Sequence, residues 1–207
     1  MNAYRLLHLI YEFSGHLLAV ITNIYFSIRD SFNPPNEKAI LFIAHPDDDV
    51  LFFHTFIKEM KPYVVLLTTG GIIKRVIPFY RTMKYYGVRY RTFDMHSRAV
   101  ESEQLISKRI RNILNNSSFT ICATHNNEGE YGHVMHCCIH SCVMDNWKGN
   151  VLVPYNSVEI VNHPLPQIEL EEKRRIIHTY YRGEYPTLQK LEKWIVNEGL
   201  IEELAYK

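Results

Sequence analysis

Nothing in the sequence is long and apolar enough to be read directly as a membrane span. The longest charge-free run, Phe13 to Ile28, falls short of the roughly 20 residues a span needs and contains His16 and Asn23. A cleaved leader would want a positive start and a small-residue cleavage site, and neither is clear. Charge of one sign is not in excess either. With 23 Lys and Arg against 22 Asp and Glu, no basic field points to nucleic acid and no acidic surplus to disorder. Cysteine is sparse: the four residues Cys122, Cys137, Cys138 and Cys142 crowd into one stretch. Adjacent Cys137 and Cys138 cannot easily staple a fold, which points to reduced thiols, ordinary small buried residues and a cytoplasmic environment. There is no internal repeat and no low-complexity tract.

What is present is a pattern of alternating elements. At the start, Leu6, Ile10, Phe13, Leu17, Ile21, Ile24 and Ile28 recur at helical spacing. They predict an amphipathic helix that packs on the domain, with peripheral contact to a membrane surface, and after it a span or uncleaved anchor, as the alternatives. Pro34 and Pro35 end it, so that 1–36 reads as helix and linker and 37–207 as the main domain. From there, apolar runs at 39–44, 63–69, 88–94, 119–124 and 150–155 read as strands. Helix-length stretches at 49–61, 73–86, 99–115 and 132–146 separate them. Residues 156–168 read as a loop, and the tail from 169 to 205 as two further helices split near 182–186. The alternation predicts an α/β, Rossmann-like, mostly parallel sheet with helices on both faces. In such sheets ligands bind beyond the carboxyl ends of the strands.

Two motifs fall there. After the first strand comes "AHPDDD", in which His45, Asp47, Asp48 and Asp49 crowd an imidazole and three carboxylates together. Carboxylates this close cannot all ionise unless a cation or donors compensate. A helix start would explain one or two aspartates without needing His45. After the fourth strand comes "THNNEGEYGHVMHCCIH", where His133, His136 and His140 fall on one face of a helix. His140 is better read as a core or supporting residue. The cysteines nearby lack the paired spacing of a structural zinc site. His45, one aspartate and one histidine of the second motif would leave a metal one open position, the pattern of a catalytic rather than a structural site. The matching chemistry is metal-assisted hydrolysis.

On these two motifs the sequence resembles the LmbE-like/PIG-L de-N-acetylases, zinc enzymes acting on N-acetylglucosamine-containing substrates. The likeness runs over roughly 38–183 and takes in "TTGG" after the second strand, "HP" at His163–Pro164, and the Lys173 to Tyr180 spacing. It implies Zn2+ held by His45, Asp48 and His136, with Asp47 as general base toward the attacking water and proton donor to the leaving amine. His133 would stabilise the oxyanion and Tyr131 assist on the substrate side. Arg75, Asp94 and Arg98, with His96, would line the substrate pocket. The substrate would be an N-acetyl sugar or glycoconjugate. Two features depart from the family pattern: Asp49 replaces the usual glutamate, and an Arg-x-x-Glu helix after the second strand is missing. Two other readings stand beside the deacetylase. One is a silent member that binds a glycan or a partner protein. The other, a nucleotide-binding module, suffers because "TTGGII" lacks the G-x-G-x-x-G spacing.

Overall fold

The computed structural model describes residues 35–69, 73–93 and 99–205, together with Leu17, Ile21, Tyr25, Arg29 and Asp30. The chain alternates as β1 (Ala39–Ile43), α1 (Asp48–Met60), β2 (Tyr63–Leu66), α2 (Ile73–Tyr86), β3 (Tyr90–Thr92), α3 (Ala99–Leu114) and β4 (Ile121–Ala123). A short turn α4 (Gly129–Gly132) then leads into α5 (Val134–Asn146), β5 (Gly149–Pro154) and α6 (Gln167–Tyr180). Two short helices, α7 (Tyr185–Leu188) and α8 (Glu192–Val196), precede β6 (Leu200–Ala205).

The strands form one sheet in the order β3-β2-β1-β4-β5-β6, parallel except for the antiparallel β5–β6 pair. β1 is buried on both faces, as its unbroken apolar run requires. Alternation along it divides the core. Ala39, Leu41 and Ile43 pack with α1, α2 and α6, whereas Ile40 and Phe42 pack with α3 and α5. β1 is central and its chain order reverses between the β2 and β4 sides, so the crevice beyond its carboxyl end opens at the topological switch point.

The predicted tail of two helices is corrected here. Residues 200–205 form an edge strand, half-exposed and carrying Glu202 and Glu203, in register with all of β5. The predicted N-terminal helix falls, apart from five positions, outside the described residues. Its last described residue, Asp30, accepts from Tyr63 Oη at 2.5 Å and Arg89 at 3.2 Å. Among the described residues no helix is long and apolar enough to cross a membrane.

One buried cation ties the C-terminal segment to the helix layer. The Lys173 ammonium is fully buried and donates to Leu51 O at 2.8 Å, Trp194 O at 2.9 Å and Glu198 Oε2 at 2.8 Å. The other oxygen of Glu198 accepts the Thr55 amide of α1 at 2.6 Å. Truncating one member of a buried pair strands the other charge. Lys173→Ala is therefore expected to cost about 3–5 kcal/mol of stability, read as a lower urea midpoint at unchanged m.

Candidate metal centre

The crevice is built from two loops. At the end of β1, Pro46 follows His45 and the backbone reaches Asp47 with φ 130°, a conformation L-residues rarely hold and one that concentrates at functional sites. The Asp47 carbonyl then accepts the Val50 and Leu51 amides at 3.1 and 2.9 Å and starts α1. Its side chain makes no cap bond, so the helix-start reading of the aspartates does not hold for it. Asp48 turns inward instead and its Oδ2 accepts the His45 amide at 2.7 Å. Asp49 is buried among helices: Oδ1 accepts from Tyr181 Oη at 2.7 Å and Oδ2 from Thr82 Oγ1 at 2.6 Å. Burial pushes its carboxyl up to about 6 despite those two donors.

The second loop joins β4 to α5. Asn126 and Glu130 fasten it reciprocally: the Asn126 amide reaches Glu130 Oε1 at 3.0 Å, and Asn126 Oδ1 accepts the Glu130 amide at 2.9 Å. Gly129 (φ 67°) permits the reversal, and a Cβ there would come within 2.9 Å of Cys137 Sγ. Glu130 itself has φ 57° and is 1% exposed, aimed into the protein rather than toward solvent. His133 is not inside the helix but caps it, its Nδ1 accepting the Met135 amide at 3.3 Å. His140 leaves the group altogether and pairs with Glu203 of β6 at 2.8 Å.

Together the loops bring three donor atoms to one point. His45 Nδ1 and His136 Nε2 are 3.2 Å apart, and each lies 3.5 Å from Asp48 Oδ2. In a tetrahedral site with bonds of roughly 2.1 Å, neighbouring donors stand roughly 3.4 Å apart, so this triangle fits a zinc-sized cation. Two other histidines are close enough to compete. His133 spends its Nδ1 lone pair on Met135, which leaves Nε2 protonated in the neutral ring. His125, stacked on His136 at 3.8 Å between centroids, accepts the Ala44 amide on Nε2 at 3.0 Å. A further buried histidine near carboxylates, His54 by Glu169 and Glu172, lies elsewhere. There the Lys58 ammonium already stands 2.6 Å from both glutamates.

Electrostatics separate the two adjacent aspartates. Burial, then the Asp48 charge, raises Asp47 well above the usual carboxylate range, and Arg75 at 3.5 Å only partly offsets this. For Asp48, burial is outweighed by His136 and His125, which hold it well below that range. Burial, with His136 and His45 alongside, lowers His133 to about 4, so its ring is neutral at pH 7. Burial opposes ionisation of Glu130 too, but His125 and His136 bring it to about 2.

These residues border a cavity of about 320 Å³ whose walls include His45, Asp47, Arg75, Tyr131 and His133. Of the residues singled out in the sequence, the structure thus gathers His45, Asp47, Asp48, Arg75, Tyr131, His133 and His136. Asp94, His96 and Arg98 lie outside the described residues. Sequence reasoning missed His125 and Glu130, which sit in "THNNEGEYG", and Glu184, which approaches Arg75 at 3.6 Å on the far wall.

No protein-family model matches the chain. It is similar to an uncharacterised protein of Acanthamoeba polyphaga mimivirus, 23% identical over an alignment of 182 positions that covers 78% of this chain and 78% of that protein. Among solved structures it is similar to GalB, the 4-carboxy-2-hydroxymuconate hydratase of Pseudomonas putida. That match has a TM-score of 0.54 at 14% identity and covers 80% of this chain and 95% of GalB. The class is therefore an α/β fold shared with an enzyme. Within it, this chain buries a His/Asp group able to hold a metal ion.

Proposed function

We propose that the chain is a metal-dependent hydrolase that removes the acetyl group from an N-acetylated amino sugar or its conjugate, as its likeness to the LmbE-like/PIG-L enzymes implies. The observation that carries this reading is the triangle of His45, Asp48 and His136 donors, with the proton-seeking Asp47 carboxyl on the same cavity wall. A zinc ion on those three ligands supplies Lewis acidity toward the acetyl carbonyl and makes water more acidic. Asp47 takes a proton from water as its oxygen adds to the carbonyl carbon. The Nε2–H of neutral His133 donates to the carbonyl oxygen as it gains charge. Asp47 then returns the proton to the nitrogen as the C–N bond breaks, leaving the amine and acetic acid, which ionises to acetate. Arg75 holds Asp47 in place between turnovers and lies in the wall that a sugar hydroxyl would meet. At about 320 Å³ the cavity is at the lower end of ligand sites, roughly 300–1,000 Å³, which suits one sugar ring with any conjugate outside.

A second reading takes its support from GalB. A hydratase also needs a base to activate water, with a carbon–carbon double bond as acceptor. One assay separates the two. Zinc-loaded protein is expected to release acetate from at least one of a panel of N-acetylated sugars, to stop with chelator and to recover with zinc. Hydration of unsaturated hydroxy acids without acetate release would favour the second reading. Ligand binding without either reaction would favour a silent glycan binder.

A further inference from the structure

Glu130 touches both histidines that compete for the site, from the side away from the cavity. Its Oε2 lies 2.6 Å from His136 Nδ1, and its Oε1 lies 3.3 Å from His125 Nδ1. An ionised carboxylate can only accept, so each ring must present Nδ1–H to it. That puts both Nε2 atoms on the Asp48 side, at 3.5 Å for His136 and 3.3 Å for His125. Burial opposes a charge on His125 while Glu130 and Asp48 raise it to about 9, but the Ala44 amide can donate only to the ring whose Nε2 is unprotonated. The two are then told apart by one contact. The Ala44 amide, just past the end of β1, fills the Nε2 lone pair of His125, whereas His136 Nε2 faces His45 Nδ1 at 3.2 Å, the other imidazole of the donor triangle. The positions that deliver Glu130 are costly ones, φ 57° for a non-glycine residue and full burial of a carboxylate, and such features persist where they are held by their surroundings.

We infer that Glu130 is a two-armed positioning residue: it fixes the tautomers of His125 and His136 together, and with the Ala44 amide it selects His136 as metal ligand and excludes His125. This rests on the metal reading above. Carboxylates behind ligating histidines characteristically set ring orientation and basicity; here one carboxylate serves a ligand and a look-alike neighbour at once. Glutamine has the same shape but one amide and one carbonyl. Glu130→Gln must therefore offer a donor to one of the two rings, and that ring has to move its proton to Nε2.

The test uses the full chain, zinc as the probe, and no substrate. Zinc affinity, measured by competition with a chromophoric chelator, is expected to weaken about 10–100-fold in Glu130→Gln. Nitrogen-15 ring spectra of the zinc-loaded wild type are expected to show Nδ1–H on both rings, with metal on His136 Nε2 alone. In the variant one ring should shift to Nε2–H. Affinity within threefold of wild type, with both tautomers unchanged, overturns the proposal. So does metal on His125, or Nε2–H on either ring, in the wild type, which settles the matter even if the variant does not fold. A wild type that binds no zinc at all removes the metal reading and the selection with it, whereas loss confined to Glu130→Gln leaves that reading intact.

Discussion

Asp47→Asn is expected to lower kcat for acetate release by about 10²–10⁴-fold while leaving the zinc content unchanged. The carboxylate borders the cavity but its neighbour Asp48, not Asp47 itself, faces His45 and His136. Asparagine keeps the shape and removes the proton acceptor. The pH profile carries the same signature. The working form at the start of the cycle is the ionised one, and burial together with Asp48 raises the pKa of Asp47 well above the ordinary value. Activity should therefore fall as pH drops through that raised value, and the residual rate of Asp47→Asn should lack this acid limb. Arg75 opposes the rise, so Arg75→Met should move the limb to higher pH still. An Asp47→Asn enzyme with near-normal kcat would remove Asp47 from the mechanism.

The second large effect separates two histidines three residues apart. His136→Ala is expected to abolish zinc binding at micromolar metal, and activity with it, since it removes one of the three proposed ligands. His133→Ala is expected to keep zinc and lose about 10²–10³-fold in kcat, the range for one oxyanion donor. The difference follows from lone pairs. His133 commits Nδ1 to the Met135 amide and keeps a proton on Nε2, whereas His136 turns an unprotonated Nε2 toward His45. Metal analysis of the two purified variants, alongside their rates, checks the assignment. Loss of zinc in both would make His133 a ligand rather than a donor.

The sheet was legible because its central parallel strands announce themselves by apolar runs closed by turns. β1 and β2 are covered on both faces, and such strands can hardly be spelled otherwise. β6 was not legible. An edge strand buries only part of one face, and "LIEELA" with its paired glutamates carries as much helix propensity as strand. At the site, the residues written as motif were found because type and spacing state their chemistry. His125 and Glu130 were not, since "NNEG" reads as a solvated loop. Only the φ values of Gly129 and Glu130 reverse the chain and send the carboxylate inward. The signal that was available is the glutamate directly before Tyr131 in a stretch already suspected of holding metal. Asp49 also became intelligible only in three dimensions. Thr82 and Tyr181, which hold it, come from 33 and 132 residues away. The shorter side chain that looked like a departure from pattern joins α1 to α2 and to the end of α6.

The bond from Glu198 to Lys173 has a consequence for how the protein is made. The residues proposed to hold the metal all precede residue 137 and the cavity wall ends at Leu191, yet the carboxylate that neutralises the buried ammonium beneath α1 comes at 198, just before the strand that covers β5. Until residues 198–205 have emerged from the ribosome, the nascent chain has an unpaired lysine in its core and a bare sheet edge, a template for pairing with other chains. The candidate metal crevice can then be complete in sequence but not yet secured, and its closure waits until β6 has been made.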